Sequence, residues 1–438
     1  MNILIITTYY PPDTAIAAVR PYMFAKYLTK MGHRVTVLRS GMMDCTADIS
    51  LLNRDSGIRV ISYLGENSVS ERFERGEEVQ TQFSKPVGAA SHLPYGLRDA
   101  VDKTFRAAKS MMVGMKVLRA KKRFAMQKAC IDSLAGERFD AVFATYSQLE
   151  NIYAGKYAAK IFGCKWILDL RDPIARRSDS GFITYLRWRR IQKKAIRSAD
   201  ICTAVSHGVA ENVSAGTGRT IQVLYNGYDA EAVQNNAAWE DGILCFCYTG
   251  VMYNNRSASP LFCVIRQLAD AGKLDITKVK FEYAGPHFEM VREQARHHNV
   301  EEILVNHGFV SREEAQTIQC RSDIFLVLTW NTKYEKGVLT GKFFEGIRAR
   351  KPILTLVTGD VPNSELKILN QEYHYGFCYE ECSAGTEYER LYRWVEAAYQ
   401  RKQNGLAVEY EPNSRLFEDF TYLRLTKRLE EIAQKITT

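Results

Sequence analysis

"NILIITTYYPPDTAIAAVRPYMFAKYLTKMGHRVTVLRS", residues 2–40, has the pattern of a strand, a helix and a second strand. Its first apolar run is typical of a buried strand, and the helical spacing of Val19, Met23 and Tyr27 indicates a helix. Gly32 stands where that helix should end, just before the second apolar run. A strand–helix–strand unit of this kind favours two parallel strands with the helix packed on their sheet.

The same alternation continues along the whole chain. "FDAVFATY", "CKWILDL" and "ADICTAVS" are further strands of the first half, and a second series runs from "ILCFCYTG" to "KPILTLV". A chain of 438 residues is long enough for two cores, since one domain takes about 100–200 residues. We therefore predict an α/β protein with two Rossmann-like domains facing across a cleft. The predicted domains are 1–232, together with the C-terminal helix 415–438 that packs back on it, and 233–414.

The net charge of +9 is distributed unevenly. Residues 1–232 contain 34 Lys and Arg against 22 Asp and Glu, a net charge of +12, which leaves −3 for the remainder. A basic domain attracts anionic partners, such as a membrane surface, a phosphorylated acceptor or a nucleic acid. The basic segment 103–128 is a candidate for peripheral contact with an anionic membrane, and a solvated basic helix is the alternative.

Other sequence classes are disfavoured by what the chain lacks. The N-terminus has neither a basic segment nor a cleavage site ahead of its apolar run, and no apolar run approaches the ~18 residues of a membrane span. We therefore expect a cytoplasmic protein, with the inner face of the membrane as a second location. The ten cysteines form no CxxC pair and no HExxH motif occurs, so we expect neither a metal site nor a bound cofactor.

The segment "GVLTGKFFEGIRARKPIL", residues 337–354, combines glycines with a lysine and a glutamate at the start of a predicted helix. The N–H groups of a helix N-terminus suit a phosphate, and Thr340 is placed to cap the helix or to donate to that phosphate. Lys342 would repel the helix dipole unless an anion binds there. Glu345, one turn further, can accept hydrogen bonds from two adjacent ribose hydroxyls. The pair suits a sugar nucleotide, and an ordinary i,i+3 ion pair is the alternative.

A second charged segment, "KWILDLRDPIARRS", follows the strand at 165–170. Asp169, Arg171 and Asp172 lie at its carboxyl end, where parallel sheets meet their ligands. These charges are candidates to orient an acceptor hydroxyl or a sugar, and an internal ion pair that braces the loop is the alternative.

These segments, in this order, resemble the family 4 glycosyltransferases, and most closely a polysaccharide-building branch with a TGKxFE motif. The resemblance extends from "ILIITTYYPPD" through "GHRVTVL", "ILDLRDP", "YNGYD", "YTG" and "GFVSREEA" to "KPILTL". It implies the GT-B fold, with the second domain binding a nucleoside-diphosphate sugar. It also implies transfer, with retention of anomeric configuration, to a polysaccharide or lipid-linked saccharide acceptor.

The resemblance also implies roles for individual residues. Glu345 matches the second glutamate of the family's ExxxxxxxE motif and is implied to hold the ribose, whereas the first glutamate falls on Gly337. Lys342 and Arg256 are the candidates to balance the leaving diphosphate, a task that other enzymes give to a divalent metal. With no DxD motif in a suitable context, we predict metal independence. A histidine that many members carry near Asp169 is absent here.

Two other functions stay open. A sugar-nucleotide 2-epimerase shares the architecture and would be distinguished by release of nucleoside diphosphate without an acceptor. A non-catalytic protein that binds anionic ligands would use the basic half alone. We predict no nucleic-acid binding, because aromatic platforms and helix-turn-helix or finger spacing are missing.

Overall fold

The computed structural model describes residues 1–13, 15–40, 57–63, 95–178, 181–231, 242–253 and 255–437. The chain divides into two compact units. Unit 1 comprises Met1–Val205, Val209–Leu224 and Thr426–Thr438, and unit 2 comprises Ser206–Gly208 and Tyr225–Leu425. The boundary predicted between residues 232 and 233 falls in 232–241, outside the described residues.

Unit 1 is built on a parallel sheet of seven strands. The strands are Asn2–Ile6 (β1), Arg34–Arg39 (β2), Ile58–Ser62 (β3), Ala141–Tyr146 (β4), Lys165–Leu170 (β5), Ile201–Ala204 (β6) and Gln222–Val223 (β7). Their order in the sheet is β3-β2-β1-β4-β5-β6-β7. The chain therefore starts in the middle of the sheet, extends to one edge and returns to the other side of β1, which is the doubly wound arrangement.

Five described helices connect these strands. They are Ile16–Lys30 (α1), Tyr95–Ser133 (α2), Leu149–Phe162 (α3), Phe182–Ser198 (α4) and His207–Ser214 (α5). The strands β1, β4 and β5 are almost wholly buried, which explains their continuous apolar sequences: helices cover both faces of the sheet.

Unit 2 repeats this architecture with a parallel sheet of six strands. The strands are Leu244–Thr249 (β8), Val279–Ala284 (β9), Leu304–Gly308 (β10), Ile324–Trp330 (β11), Ile353–Thr358 (β12) and Gly376–Glu380 (β13). Their order is β10-β9-β8-β11-β12-β13. The helices are Ser259–Asp270 (α6), Phe288–His297 (α7), Arg312–Arg321 (α8), Gly341–Ala349 (α9), Glu365–Tyr373 (α10), Ala384–Gln403 (α11) and Leu416–Asp419 (α12).

The core of unit 2 has two layers, one on each face of the sheet. Successive residues of β8 alternate between them: Phe246 and Tyr248 pack with α6, α7 and α11, whereas Cys247 packs with α9 and α10. This alternation is what a strand buried on both faces requires. The prediction of two parallel α/β units is thus confirmed.

The last helix, Tyr422–Thr437 (α13), returns to unit 1. Its side chains Leu429, Ile432 and Ala433 are buried. A hydrogen bond of 2.8 Å joins Oε1 of Glu430 to Nε2 of His33, in the turn before β2. The predicted packing of a C-terminal helix on the first domain is confirmed for the part that belongs to unit 1, Thr426–Thr438, whereas residues 415–425 belong to unit 2.

Candidate functional site

The position of Lys342 and Glu345 follows from the way α9 packs. Phe343, Phe344 and Ile347 are buried against the sheet of unit 2, which places α9 beside β11 and β12. The two charged residues flank this apolar stripe, so their side chains stay about three-quarters covered, with exposed fractions of 26% and 25%. Both lie in the first turns of a helix that follows the carboxyl end of β11.

Lys342 and Glu345 form an ion pair with each other. The ammonium Nζ lies 2.8 Å from Oε1 and 2.7 Å from Oε2 of the carboxylate. This geometry is the i,i+3 pair that the sequence left open as the alternative. The sugar-nucleotide interpretation instead places Lys342 on a phosphate and Glu345 on a ribose. Whether the pair binds a nucleotide stays a prediction.

Gln319, on α8, fixes the orientation of the Glu345 carboxylate. Its Nε2 donates to Glu345 Oε2 and to Thr249 Oγ1, both at 2.7 Å, and its Oε1 accepts from Arg348 at 2.6 Å. Because Gln319 is almost fully buried, its three partners hold the amide in one orientation. The sequence analysis missed this residue, since nothing in "REEAQTIQCRS" sets it apart from an ordinary core position.

Thr340 occupies the N-cap position of α9, but its hydroxyl makes no capping bond. Its Oγ1 is buried and has no hydrogen-bond partner among the described residues. Leaving such a group unpaired costs about 1–3 kcal/mol, so this hydroxyl is suited to a ligand that supplies the missing partner.

Gly337 cannot be replaced by a residue with a side chain without strain. Its φ is +67°, in the left-handed region, and a Cβ there would lie 2.7 Å from Oε2 of Glu365. The local backbone and a neighbouring carboxylate therefore account for a glycine where the family resemblance places a glutamate.

Arg256 lies in the loop that connects β8 to α6. Its NH1 donates to the hydroxyl of Tyr248 at 3.0 Å and to the carbonyl of Val251 at 2.6 Å. Burial raises the pKa of Tyr248, and the guanidinium of Arg256 opposes that rise. Gly250, at the end of β8, has a φ of +144°, and a Cβ there would lie 2.9 Å from Cε of Lys342. The absence of a side chain at Gly250 thus makes room for Lys342.

Asp169 is fully buried in unit 1 and forms an internal ion pair. Arg20 of α1 donates to both carboxylate oxygens, from Nε at 2.9 Å and from NH2 at 2.8 Å. Thr145 and Thr203, the residues paired with Asp169 on β4 and β6, donate at 3.1 and 2.8 Å. Burial alone would raise the pKa of Asp169, but Arg20 and Thr203 hold it below its ordinary value. This geometry corresponds to the bracing alternative, and a catalytic role for Asp169 stays a prediction.

The two neighbours of Asp169 in the motif are closer to solvent. Arg171 is half-buried and donates from NH1 to the carbonyl of Ala17 at 2.7 Å. Asp172 is exposed and forms an i,i+4 ion pair with Arg176 at 2.7 Å. The predicted site residues thus fall into two sets: Asp169, Arg171 and Asp172 in unit 1, and the four predicted donor-binding residues in unit 2.

The described residues contain no cluster of three or more His, Cys, Asp or Glu side chains placed to hold a metal ion. Within the same ranges, no helix combines the length and the hydropathy of a membrane span.

Several solved structures share the fold of this chain. HepE from Anabaena, in complex with UDP and glucose, is 12% identical with a TM-score of 0.59, and the match covers 99% of this chain and 100% of HepE. Sucrose-phosphate synthase from Thermosynechococcus elongatus is 10% identical with a TM-score of 0.59, covering 99% and 98%. The lipopolysaccharide outer core galactosyltransferase WaaB, in its apo form, is 13% identical with a TM-score of 0.56, covering 99% and 100%.

No protein-family model matches the chain, and no curated protein matches it by sequence. At 10–13% identity, the structural likeness shows the fold: the chain has the two-domain GT-B architecture that these structures share.

Proposed function

We propose that the chain is a retaining glycosyltransferase, similar to family 4 and its TGKxFE branch. In this proposal the enzyme moves a sugar from a nucleoside-diphosphate sugar to a polysaccharide or lipid-linked saccharide acceptor. The observation that carries the proposal is the Lys342–Glu345 pair at the N-terminus of α9. It lies in a fold shared with HepE, a protein whose structure holds UDP and glucose.

In this proposal, cations of unit 2 bind the diphosphate. Lys342 exchanges its bond to Glu345 for one to a phosphate oxygen, and Arg256 approaches from the loop after β8. The unpaired hydroxyl of Thr340 donates to the same group. The bond that Lys342 gives up and the bond that it forms are both charge-assisted, so the exchange replaces one strong hydrogen bond by another.

Glu345, released from Lys342, accepts hydrogen bonds from the two ribose hydroxyls. Gln319 keeps the carboxylate in position for this, because it donates to Oε2 independently of Lys342. A carboxylate that is already held in its binding orientation loses less conformational entropy when the ligand binds.

Phe309 supplies a surface for the base. It directly follows β10 at the carboxyl end of the sheet, and it is 89% exposed, the largest value among the exposed large hydrophobic side chains that the structure describes. An aromatic ring in that position can stack on a nucleobase, a contact worth about 1–3 kcal/mol.

The transfer step needs charge neutralisation rather than a protein nucleophile. The bond between the anomeric carbon and the diphosphate oxygen breaks, the acceptor oxygen bonds to that carbon on the same face, and the acceptor proton passes to the departing phosphate. Lys342 and Arg256 stabilise the negative charge that develops on the diphosphate. We propose that these two cations make a divalent metal unnecessary.

On the acceptor side, the proposal assigns contact roles to the half-buried Arg171 and the exposed Asp172. Asp169 has an indirect role in this proposal: its ion pair with Arg20 holds the carboxyl end of β5, the strand that precedes Arg171 and Asp172. The basic segment 103–128 is proposed to keep the enzyme at the inner membrane face, near a lipid-linked acceptor.

Calorimetric titration with a panel of nucleoside diphosphates, and with the matching nucleosides, tests the donor site. Lys342→Met should weaken the best diphosphate about 10- to 100-fold and leave the nucleoside almost unchanged, whereas Glu345→Gln should weaken both about tenfold. The control is Glu389→Gln with Arg393→Met, which removes an exposed ion pair on α11 of the same unit. Unchanged affinity in both site variants contradicts the assignment.

An activity assay separates transfer from epimerisation. A transferase releases nucleoside diphosphate when a saccharide acceptor is present, and the sugar appears in a larger product. Release that does not depend on the acceptor contradicts the proposed reaction.

A further inference from the structure

A cavity of about 200 Å³ opens at the carboxyl ends of β12 and β13 in unit 2. The start of α6 and the residue after α7 complete its wall. Two of its lining residues, Leu356 and Tyr379, belong to the core layer under α6 and α11, whereas α9 packs on the opposite face of the sheet. The cavity is therefore separate from the Lys342–Glu345 pair on α9.

His298, which lines the cavity, has a ring nitrogen that calls for a partner. Its Nε2 is buried and has no hydrogen-bond partner among the described residues. Burial, and then the neighbouring His297, hold the pKa of His298 below its ordinary value, so the ring is neutral at pH 7. In a neutral ring, Nε2 either donates or accepts one hydrogen bond, according to the tautomer. A buried polar atom of this kind in a cavity wall indicates a ligand that pairs with it.

Three further polar side chains of the wall keep hydrogen-bonding capacity. The hydroxyl of Ser257 accepts from a backbone N–H at 3.2 Å, which leaves its hydrogen to donate. The hydroxyl of Thr358 donates to a backbone carbonyl at 2.7 Å, which leaves its lone pairs to accept. Oε2 of Glu381 accepts from the backbone of Gly359 at 3.1 Å, and a carboxylate can accept about four such bonds. The cavity thus offers donors and acceptors together.

The charges around the cavity favour an uncharged ligand of small size. Ser259 and Pro260, in the first turn of α6, bring the positive end of that helix dipole to the wall, which disfavours a cation. The carboxylate of Glu381 disfavours an anion in the same space. A volume of about 200 Å³ equals about seven water molecules and is below the range of about 300–1,000 Å³ typical of larger ligands, so a nucleotide is excluded and one small ring is favoured.

We propose that this cavity is a binding site for a monosaccharide. The hydroxyl groups of a sugar ring both donate and accept, as the wall requires, and two adjacent hydroxyls can donate to the carboxylate of Glu381. The C–H groups of the ring face the apolar side chains of Pro260, Leu356 and Tyr379. A few polar groups that orient a ligand against an apolar wall are the usual composition of a small-molecule site.

This inference goes beyond the proposed activity, because it adds a second ligand site and uses no residue assigned to the donor or the acceptor. Glu345→Gln changes the proposed donor site and should leave monosaccharide binding in the cavity intact. The failure of one proposal is therefore distinguishable from the failure of the other.

Cys263, a half-buried thiol in the cavity wall, reports occupancy directly. The full chain is alkylated with iodoacetamide in the presence of D-glucose, D-galactose or N-acetyl-D-glucosamine, and mass spectrometry follows the peptide that contains Cys263. At about ten times its Kd a sugar leaves about one chain in eleven free, so the alkylation rate should fall about tenfold. Cys130, a half-buried thiol of unit 1, is the internal control and should react at an unchanged rate.

Two variants test the wall of the cavity, and saturation-transfer difference NMR of the same sugars measures binding without relying on the thiol. Glu381→Gln should weaken binding about tenfold, because it removes charge-assisted hydrogen bonds. Ser259→Leu should abolish binding by filling the space. The matched control is Glu389→Gln, an exposed carboxylate on α11, which should bind as the parent chain does. Circular dichroism of all three variants should equal that of the parent chain.

Several results would overturn the proposal. One is an NMR signal from the sugars that Ser259→Leu and Glu381→Gln leave unchanged, or no signal from any of the three sugars. Another is equal slowing of alkylation at Cys130 and Cys263, which would show a general effect of the sugar on the protein. Stronger protection of Cys263 by methylamine or acetate than by the sugars would refute the uncharged ligand. Equal protection by glycerol would refute a sugar ring as the preferred occupant.

Discussion

Replacing Asp169 by asparagine should destabilise unit 1 strongly, because it removes the carboxylate with which the buried guanidinium of Arg20 forms an ion pair. The two side chains are 0% and 1% exposed, and the carboxylate accepts four hydrogen bonds. Removing one partner of a buried ion pair costs about 3–5 kcal/mol, and the burial here gives no reason to reduce that figure for solvent screening. We expect Asp169→Asn and Arg20→Met each to lower the free energy of unfolding by this amount.

The double variant should cost less than the sum of the two single variants. With both charges gone, the new asparagine side chain would still bond to Thr145 and Thr203, accepting from one through its oxygen and donating to the other through its nitrogen, and neither charge of the pair would be left buried without the other. We expect a coupling free energy of about 2 kcal/mol or more, which is within the range measured for residues in one network.

The destabilisation should also depend on pH. The folded state holds the pKa of Asp169 below its ordinary value, so the stabilisation is complete above the unfolded pKa of about 3.9 and is lost as the pH falls through the folded pKa. The difference in stability between the parent chain and Asp169→Asn should therefore narrow below about pH 4.

Urea unfolding followed by circular dichroism measures these free energies, and hydrogen exchange at residues 165–170 locates the loss in β5. The reasoning is refuted if Asp169→Asn changes the free energy of unfolding by less than about 1 kcal/mol and still abolishes activity. That result would make Asp169 a residue of the chemistry rather than a support for the strand.

Two further predictions concern unit 2. Gly250→Ala should weaken nucleoside-diphosphate binding in calorimetric titration. The new methyl group would lie 2.9 Å from Cε of Lys342, and the φ of +144° at this position disfavours any side chain. Unchanged affinity would contradict the placement of Lys342. Phe420→Ala should lower the free energy of unfolding by about 3–5 kcal/mol, since its buried ring packs against Phe343 and Phe344. The matched control, Phe309→Ala, removes an exposed ring, and an equal loss of stability in the two variants would refute that packing argument.

The fold could be predicted from the sequence because its signals are local. The continuous apolar strands and the helical spacing of residues such as Val19 and Met23 lie within short segments. The number of such segments, and the length of the chain, then led to two parallel α/β units. The pairing of Lys342 with Glu345 could also be foreseen, since residues three apart on a helix are neighbours.

The partners of the other charges could not be foreseen, because they are distant in sequence. Asp169 meets Arg20, 149 residues away, and Glu345 meets Gln319, 26 residues away on another helix. The sequence around Asp169 or Glu345 does not indicate which distant residue it contacts, because that contact depends on strand register and on the packing of helices against the sheet. Nor could the sequence show that Met115 and Leu118, on α2, are 51% and 56% exposed, because an apolar stripe at helical spacing looks the same whether the helix buries it or presents it to solvent. Sequence alone therefore determined the elements and their class, through periodicity that each segment carries by itself. Only the tertiary structure decided which charges are paired and which apolar faces stay exposed, because those depend on what the rest of the chain places opposite them.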